Sequence, residues 1–466
     1  MTQTAPTHPT PAPQAAIPKA CEAGDDKLRA AIDAAVVTGW IGQLARFQRE
    51  VTDAERIDQL RALEQLKSAA AAAQARITVD LDASVRAAHA ARGIPAERQG
   101  RGVAAQVALA RQESPYKGGR HLGLAKVLVG EMPHTLAALE WGAISEWRAT
   151  LLARETACLS REHRHLIDTE LCADPTILHG WGDRRLTAEI QKIAYRLDPV
   201  AVTRRRAKAE SERRVTCRPA PDAMAQLTIL GPVAQVVAMY AALRKTADTA
   251  VATGDGRTHG QLMADTAHQR LTGQDTAVVP VEIHMIMTDR SLLGDSDEPA
   301  HLSGIGPIPA DLARRLAASA AEAEKAWLRR LYTTPHTGRL IGMDSQRRIF
   351  PAGLAKFIEI RDQYCRTPWC DAPIRHIDHA QPHHQHGATS EDNGNGLCEQ
   401  CNYARQAPDW QIRPEPGPRH TLRVTTPTGH SYRSTAPAPP GHPRSERRRP
   451  AGERARRIGT HRALDG

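Results

Sequence analysis

Along the chain, apolar residues recur at three- and four-residue spacing over residues 25–50 and again over residues 56–79. This periodicity predicts two or more amphipathic scaffold helices. Gly93 and Pro95 break the pattern, and Gly100, Arg101 and Gly102 mark a further turn. Residues 113–160 predict a succession of short helices, punctuated by Gly118, Gly119, Gly130, Pro133 and Gly142. A helical corner of this kind resembles a DNA-binding helix pair, but the packing of an ordinary helical domain explains it better. A basic helix follows over residues 201–215, whose Arg204, Arg205, Arg206, Lys208, Arg213 and Arg214 suit either a phosphate backbone or a solvated face interrupted by Glu210 and Glu212. A strand-like run at Leu227–Leu230, a helix, the glycine-rich GDGRTHG loop and a second helix read as a small α+β unit. Residues 278–288 carry the strongest strand signal of the chain. Residues 308–331 predict a helix with Pro309 and Asp311 in its first turn. Residues 339–344 are strand-like, and a helix then leads to Cys365.

Composition adds the flanks and the partner class. The predicted fold is mainly α (α+β), because Ala, Leu, Arg and Glu dominate and only 17 residues are aromatic. At 466 residues the chain has room for two or three domains. Residues 1–24 are rich in Pro, Thr and Ala and predict a disordered lead-in, and residues 413–466 predict a disordered basic tail, whose last 26 residues hold eight arginines against three acidic residues. A net charge of +10 and a pI near 9.4 favour an anionic partner, nucleic acid first, although solubility or host composition also makes proteins basic. No secretory signal and no apolar run of about 20 residues is seen, which points to a membrane-free cytoplasmic protein. Cys21, Cys158, Cys172 and Cys217 are scattered, as ordinary thiols are.

The other four cysteines lie in a 38-residue stretch, Cys365 to Asn402, that has too few apolar residues for an ordinary core. Cys365 and Cys370 form a C-x4-C knuckle, and Cys398 and Cys401 form a C-x2-C knuckle. Two knuckles separated by 27 residues read as a structural zinc site of four thiolates, with room for a strand hairpin between them. GLCEQCNYARQAP predicts a short helix ending before Pro408.

The segments FIEIRDQYCRTPWCDAPIRHIDHA and GLCEQCNYARQAPDW resemble the HNH endonuclease family and its zinc-stapled ββα-metal module. With LLGDSDEPAHLSGIGPIPADLARRLA upstream, they resemble the actinobacterial proteins that join a DUF222 (13E12 repeat) domain to a C-terminal HNH module. The implied organisation is a helical DUF222-like domain at 25–340 and an HNH module at 341–412. Carried over, the resemblance makes His379 the general base, Asn393 the residue orienting loop and base, and Asp378 with Asn402 the holders of a catalytic Mg²⁺ or Mn²⁺. Asn402 stands where many members have histidine. Arg361, Arg366, Arg375 and Arg405 are candidate phosphate contacts, whereas His376, His383, His384 and His386 are expected at the surface, Asp392 in a turn, and Trp369 and Trp410 in packing. The implied activity is hydrolysis of double-stranded DNA, at the nucleoid. A zinc-stapled nucleic-acid-binding protein with weak or no catalysis is the alternative, as is a helical scaffold that brings the module to a protein partner or a second copy.

Overall fold

In the computed structural model, residues 32–273, 284–294, 296–322 and 350–440 are described. Two compact units divide the chain, Met1–Leu63 and Glu64–Gly466. In the first, α1 (Ala34–Leu44) starts at Asp33, whose carboxylate accepts from the Val36 N–H at 2.9 Å. The long α2 (Asp53–Ala91) starts at a reciprocal cap, in which Thr52 accepts from the Glu55 N–H and Glu55 accepts from the Thr52 N–H.

The second unit is built on a helical bundle. It comprises the later turns of α2 with α3 (Val103–Ala110), α4 (Pro115–Glu131), α5 (Pro133–Glu140), α6 (Glu146–Glu155), α7 (Arg161–Cys172), α8 (Asp183–Leu197) and α9 (Pro199–Ser211). Ala71, Ala72 and Ala75 give α2 a small-residue face against Leu128, Leu139, Leu152, Ile167 and Ile190, all buried in one core. Gly118 lets α3 and α4 cross closely, since a Cβ there would stand 2.2 Å from the Ala104 carbonyl oxygen. Serines cap α4, α6 and α7 locally, while α5, which begins at Met132-Pro133 and lacks a side-chain cap of its own, is capped by buried Asp168 of α7 through the His134 and Thr135 N–H groups at 2.8 and 2.7 Å. Leu128, Leu136 and Leu139 of the α4–α5 corner point into this core, as in an ordinary packing corner.

The basic run falls largely on α9, where Arg206 pairs with Glu210 and Lys208 with Glu212 one turn apart, and Arg205 donates to the Glu155 carbonyl. It is therefore a solvated helix face with its own counter-charges. The predicted strand at Leu227–Leu230 belongs to β2 (Met224–Leu230), which pairs antiparallel with β1 (Arg214–Ala220) around Asp222 and Ala223, both left-handed. Helices α10 (Val233–Ala252) and α11 (His259–Thr272) follow as expected. Of the run 278–288, β3 (Met285–Ile286) is a strand, and residues 278–283 lie outside the described residues. After α12 (Asp289–Leu293), strands β4 (Ala300–Leu302) and β5 (Gly306–Ile308) complete a small antiparallel sheet with β3, and α13 (Ala310–Glu322) packs on it. The predicted helix beyond 322 and the run 339–344 lie outside the described residues.

The C-terminal part starts with α14 (Ala352–Asp362) and continues through β6 (His376–His379), β7 (Gly394–Leu397) and α15 (Glu399–Ala404). The expectation of disorder from 413 onward is corrected over 413–435. There β8 (Gln411–Glu415), β9 (Thr421–Thr425) and β10 (Ser431–Thr435) form an antiparallel sheet in the order β10-β9-β8. Its alternation is clear once seen, with Ile412, Leu422 and Val424 packed against Ala380 and Trp410 on one face and arginines on the other. Of the Pro and Gly residues that suggested disorder, Pro416 to Pro418 and Gly429 fall at the turns, and Pro414 sits in β8, an edge strand.

Candidate metal centre and active site

The four cysteine sulfurs lie within 4.8 Å of one another. Sulfurs held at about 2.3 Å around a tetrahedral zinc stand about 3.8 Å apart. The Cys370–Cys398 and Cys370–Cys401 separations of 3.6 and 3.5 Å fit such a site, so the cluster can chelate a structural metal. Hydrogen bonds from the neighbouring thiols hold Cys398 far below the usual thiol range. Local backbone makes both knuckles: Trp369 and Asp371 turn the first with positive φ, and Cys398 caps α15 in the second. Among the described residues this is the one group of three or more His, Cys, Asp or Glu side chains with converging ligand atoms.

Between the knuckles, β6 and β7 pair with Asp378 opposite Asn395 and His379 opposite Gly394. A Cβ at residue 394 would meet Ile358 at 2.3 Å, so glycine there lets the hairpin close on α14. His379 is the last residue of β6 and is buried, its ring 4.6 Å from that of Phe350. Its Nε2 lies 2.8 Å from Thr389 Oγ1, and its Nδ1 lies 3.8 Å from Asp378 Oδ1. Adjacent side chains on a strand point to opposite faces. The pair meets because the strand ends here and the Asp378 carboxylate curls back to accept from the His379 N–H at 2.8 Å.

Buried Asn393 clamps the loop after His379. Its Oδ1 accepts from the Gln381 N–H at 2.8 Å, its Nδ2 donates to the Gln381 and Ala388 carbonyls at 3.0 and 2.8 Å, and its own carbonyl accepts from Ala380. On α15, Asn402 shares a helix face with Arg405 three residues on. Arg405 reaches β6, with Nη1 3.6 Å from Asp378 Oδ2. Asn402 Oδ1 is buried without a hydrogen-bond partner. An orphaned carbonyl oxygen on α15 and a half-exposed carboxylate on β6 are oxygen donors of the kind that a hard divalent cation takes, with waters completing its shell. In donor type these residues suit Mg²⁺ or Mn²⁺.

The model of a family described as a domain of unknown function, DUF222, matches residues 58–362, and that of the HNH endonuclease family matches residues 363–407. The chain belongs to the DUF222 family. Its DUF222 domain is followed by an HNH endonuclease domain. An uncharacterized protein of Mycobacterium tuberculosis is 28% identical to it over 71% of this chain and 69% of that one. No solved structure matches. No helix of the described residues is long and apolar enough to cross a membrane.

Three of the four candidate phosphate-binding arginines of the HNH domain are occupied elsewhere. Arg361 is buried, bonded to Asp362 and to the carbonyls of Glu391 and Gly394. Arg366, 3% exposed, bonds Asp362 at 2.9 Å, the Ser434 hydroxyl and carbonyl, and the His420 carbonyl. Arg405 donates to the carbonyls of His379 and Ala380 beside its contact with Asp378. These guanidiniums tie the domain together, since each donates to backbone carbonyls of segments distant in the chain. Arg375 alone of the four is exposed. His383, His384 and His386 are exposed as expected, with the His383 ring 5.7 Å from His379, and His376 is half-buried beside Tyr403. Asp392 sits in the turn before β7, Trp410 packs under the C-terminal sheet, and the Trp369 ring meets Tyr432 at 5.7 Å.

Sequence reasoning missed Thr389 and His420. Burial opposes the charge of Asp362, but the adjacent guanidiniums of Arg361 and Arg366 win and hold it below the usual carboxylate range. Burial, aided by Arg361 and Arg366 and opposed by Asp362, pushes His420 down to about 4. The unfolded chain therefore takes up the His420 proton first, and folding stability that is complete above pH ~6.5 is lost as pH falls toward 4, by up to about 3 kcal/mol. Urea midpoints of the HNH domain at pH 7, 6 and 5 should fall in that order, and His420→Gln should flatten the trend. Equal slopes in the two proteins would remove His420 as its source.

Proposed function

We propose that the protein is a metal-dependent HNH endonuclease that hydrolyses phosphodiester bonds of double-stranded DNA, with His379 as general base. The observation that carries this reading is the environment of the His379 ring, bonded at Nε2 to Thr389 and set with Nδ1 beside Asp378. When Thr389 accepts from Nε2–H, the basic lone pair lies on Nδ1, and that ring nitrogen suits the task of taking a proton from water. The water oxygen attacks phosphorus and the 3′-oxygen leaves, giving 5′-phosphate and 3′-hydroxyl ends; this polarity follows the family resemblance. Asp378 and Asn402 would hold Mg²⁺ or Mn²⁺, which supplies positive charge against that developing on the phosphate and leaving oxygen. Asn393 fixes the loop after His379, Arg405 fixes the end of β6, and Arg375 is available to a phosphate. The four cysteines hold structural zinc. Acting on DNA, the protein would work in the cytoplasm at the nucleoid.

Purified protein should nick supercoiled plasmid with Mg²⁺ or Mn²⁺ and stop in EDTA, with zinc content followed alongside. Asn402→Ala should raise the Mg²⁺ concentration for half-maximal nicking by about tenfold or more, since it removes the orphaned donor. Plasmid bound and never nicked under any of these ions would instead favour a zinc-stapled DNA-binding protein, the reading that the neutral Asn402 keeps in play.

A further inference from the structure

The C-terminal sheet lies beyond the residues matched by the HNH family, 363–407. Its register sets three arginines side by side, Arg413 of β8 opposite Arg423 of β9, and Arg423 opposite Arg433 of β10. All three are exposed, Arg423 and Arg433 at 50% and 70%. Like charges directly opposite one another on a sheet are destabilising. Glu415 bridges Arg423 and Arg433 and offsets one of the three charges. Among the described residues, no carboxylate pairs with Arg413. The row therefore keeps two uncompensated positive charges on a face that, besides Glu415, is Gln411, Thr421, Thr425, Ser431 and Thr435, all hydrogen-bonding side chains with no apolar member. That composition is wrong for a protein interface core and right for a polyanion.

We propose that this arginine row is a second contact for the phosphate backbone of the duplex cut by the HNH domain, an inference that rests on the nuclease reading above. Two strand spacings make the row about 10 Å long, and arginine side chains spread over that length reach about two to three successive phosphates of one DNA strand. The sheet is fixed to the nuclease domain. Arg366, next to zinc-site Cys365, donates to Ser434 of β10 at 3.1 Å (Oγ) and 2.6 Å (carbonyl), and the apolar side of the sheet packs on Ala380, the residue after His379. A phosphate strand held on the row is thus held in register with the hairpin, though on the face of the sheet away from Ala380. The contact reaches flanking duplex and not the scissile phosphate, so it acts on binding.

The test uses full-length protein with Arg413→Ala, Arg423→Ala and Arg433→Ala combined, and the three Arg→Lys changes as the charge-preserving control. Binding of a labelled duplex is followed by fluorescence anisotropy without divalent ions, from 50 to 300 mM salt. The arginine-rich residues 441–466 are present throughout, so their contribution cancels. The alanine variant should bind about 10- to 100-fold more weakly near 0.1 M salt, and the slope of log affinity against log salt should shrink by about 2 to 3, as expected for two or three lost phosphate contacts. The lysine variant should keep most of the slope, zinc content should not change, and nicking at saturating plasmid should keep its kcat while KM rises. An unchanged slope in the alanine variant overturns the proposal even if the protein nicks DNA. A protein that never nicks but shows the expected slope change retains the arginine row and loses the nuclease reading. Preference for single-stranded RNA over duplex, abolished by the alanine changes, overturns the assignment to duplex DNA.

Discussion

Cys398→Ser is expected to release the metal and unfold the HNH domain while the helical bundle stays folded. The domain's apolar clusters are small: Phe350, Leu354 and Ile358 in one, and Ala380, Ile412, Leu422 and Val424 in another. Around the cysteines themselves, Leu397 is the one large aliphatic residue of the cluster. A structural zinc contributes on the order of 10 kcal/mol to folding in small metal-stapled domains, comparable to the whole stability of an ordinary domain. Serine at 398 can still cap α15, so the change removes the metal ligand and leaves the start of the helix that carries Asn402. The bundle core runs from Ala71 to Ala194 and includes no residue of the HNH domain, so its helical signal should persist. Zinc per chain by atomic absorption, far-ultraviolet circular dichroism and limited proteolysis measure the three parts of this result. A Cys398→Ser protein with one zinc per chain and an intact 350–440 region would show that the cluster is not what holds the domain.

His379→Ala should lower metal-dependent nicking by about 10²- to 10⁴-fold, the usual contribution of a positioned general base. The ring is buried against Phe350, so the change leaves a cavity, and some loss of stability should accompany the loss of rate. Two comparisons separate these effects. His379→Gln, which fills most of the space without a titrating nitrogen, should be as inactive as the alanine variant and closer to wild type in melting. Thr389→Val should keep the fold and shift or broaden the pH–rate profile, because it removes the hydrogen bond at Nε2 while leaving His379 in place. Nicking at the wild-type rate by either His379 variant would sink the mechanism, whatever the melting curves show.

The candidate site was legible where its logic is local. Two cysteine knuckles and a short helix need only a few residues each, and their spacing already limits where the sulfurs can go. The arginines were not legible. Arg366 meets Ser434, 68 positions later in the chain, and a side chain with five donors takes whichever carbonyls the packing leaves open. Asp362 beside Arg361 offered an internal pair, but nothing near Arg366 or Arg405 in sequence distinguishes a guanidinium that binds phosphate from one that stitches the hairpin to its neighbours. Residues 413–435 were misread for a different reason: Pro, Gly, Thr and Arg describe a short hairpin with tight turns as well as they describe disorder. Five-residue strands carry too few alternations to decide between them.

By itself, then, the amino-acid sequence determined the mainly helical architecture and the four-cysteine cluster, because helical periodicity and ligand spacing are properties of contiguous chain, while the DUF222–HNH order was implied by the resemblance of its segments. Tertiary structure decided which charges are internal and which face solvent. It buried Arg361, Arg366 and Asp362 in one network, left Arg375 outside, and set Arg413, Arg423 and Arg433 in a row. It also turned the end of β6 so that Asp378 and His379 meet. Burial and strand register depend on which distant segments come together, and that information appears only when the chain has folded.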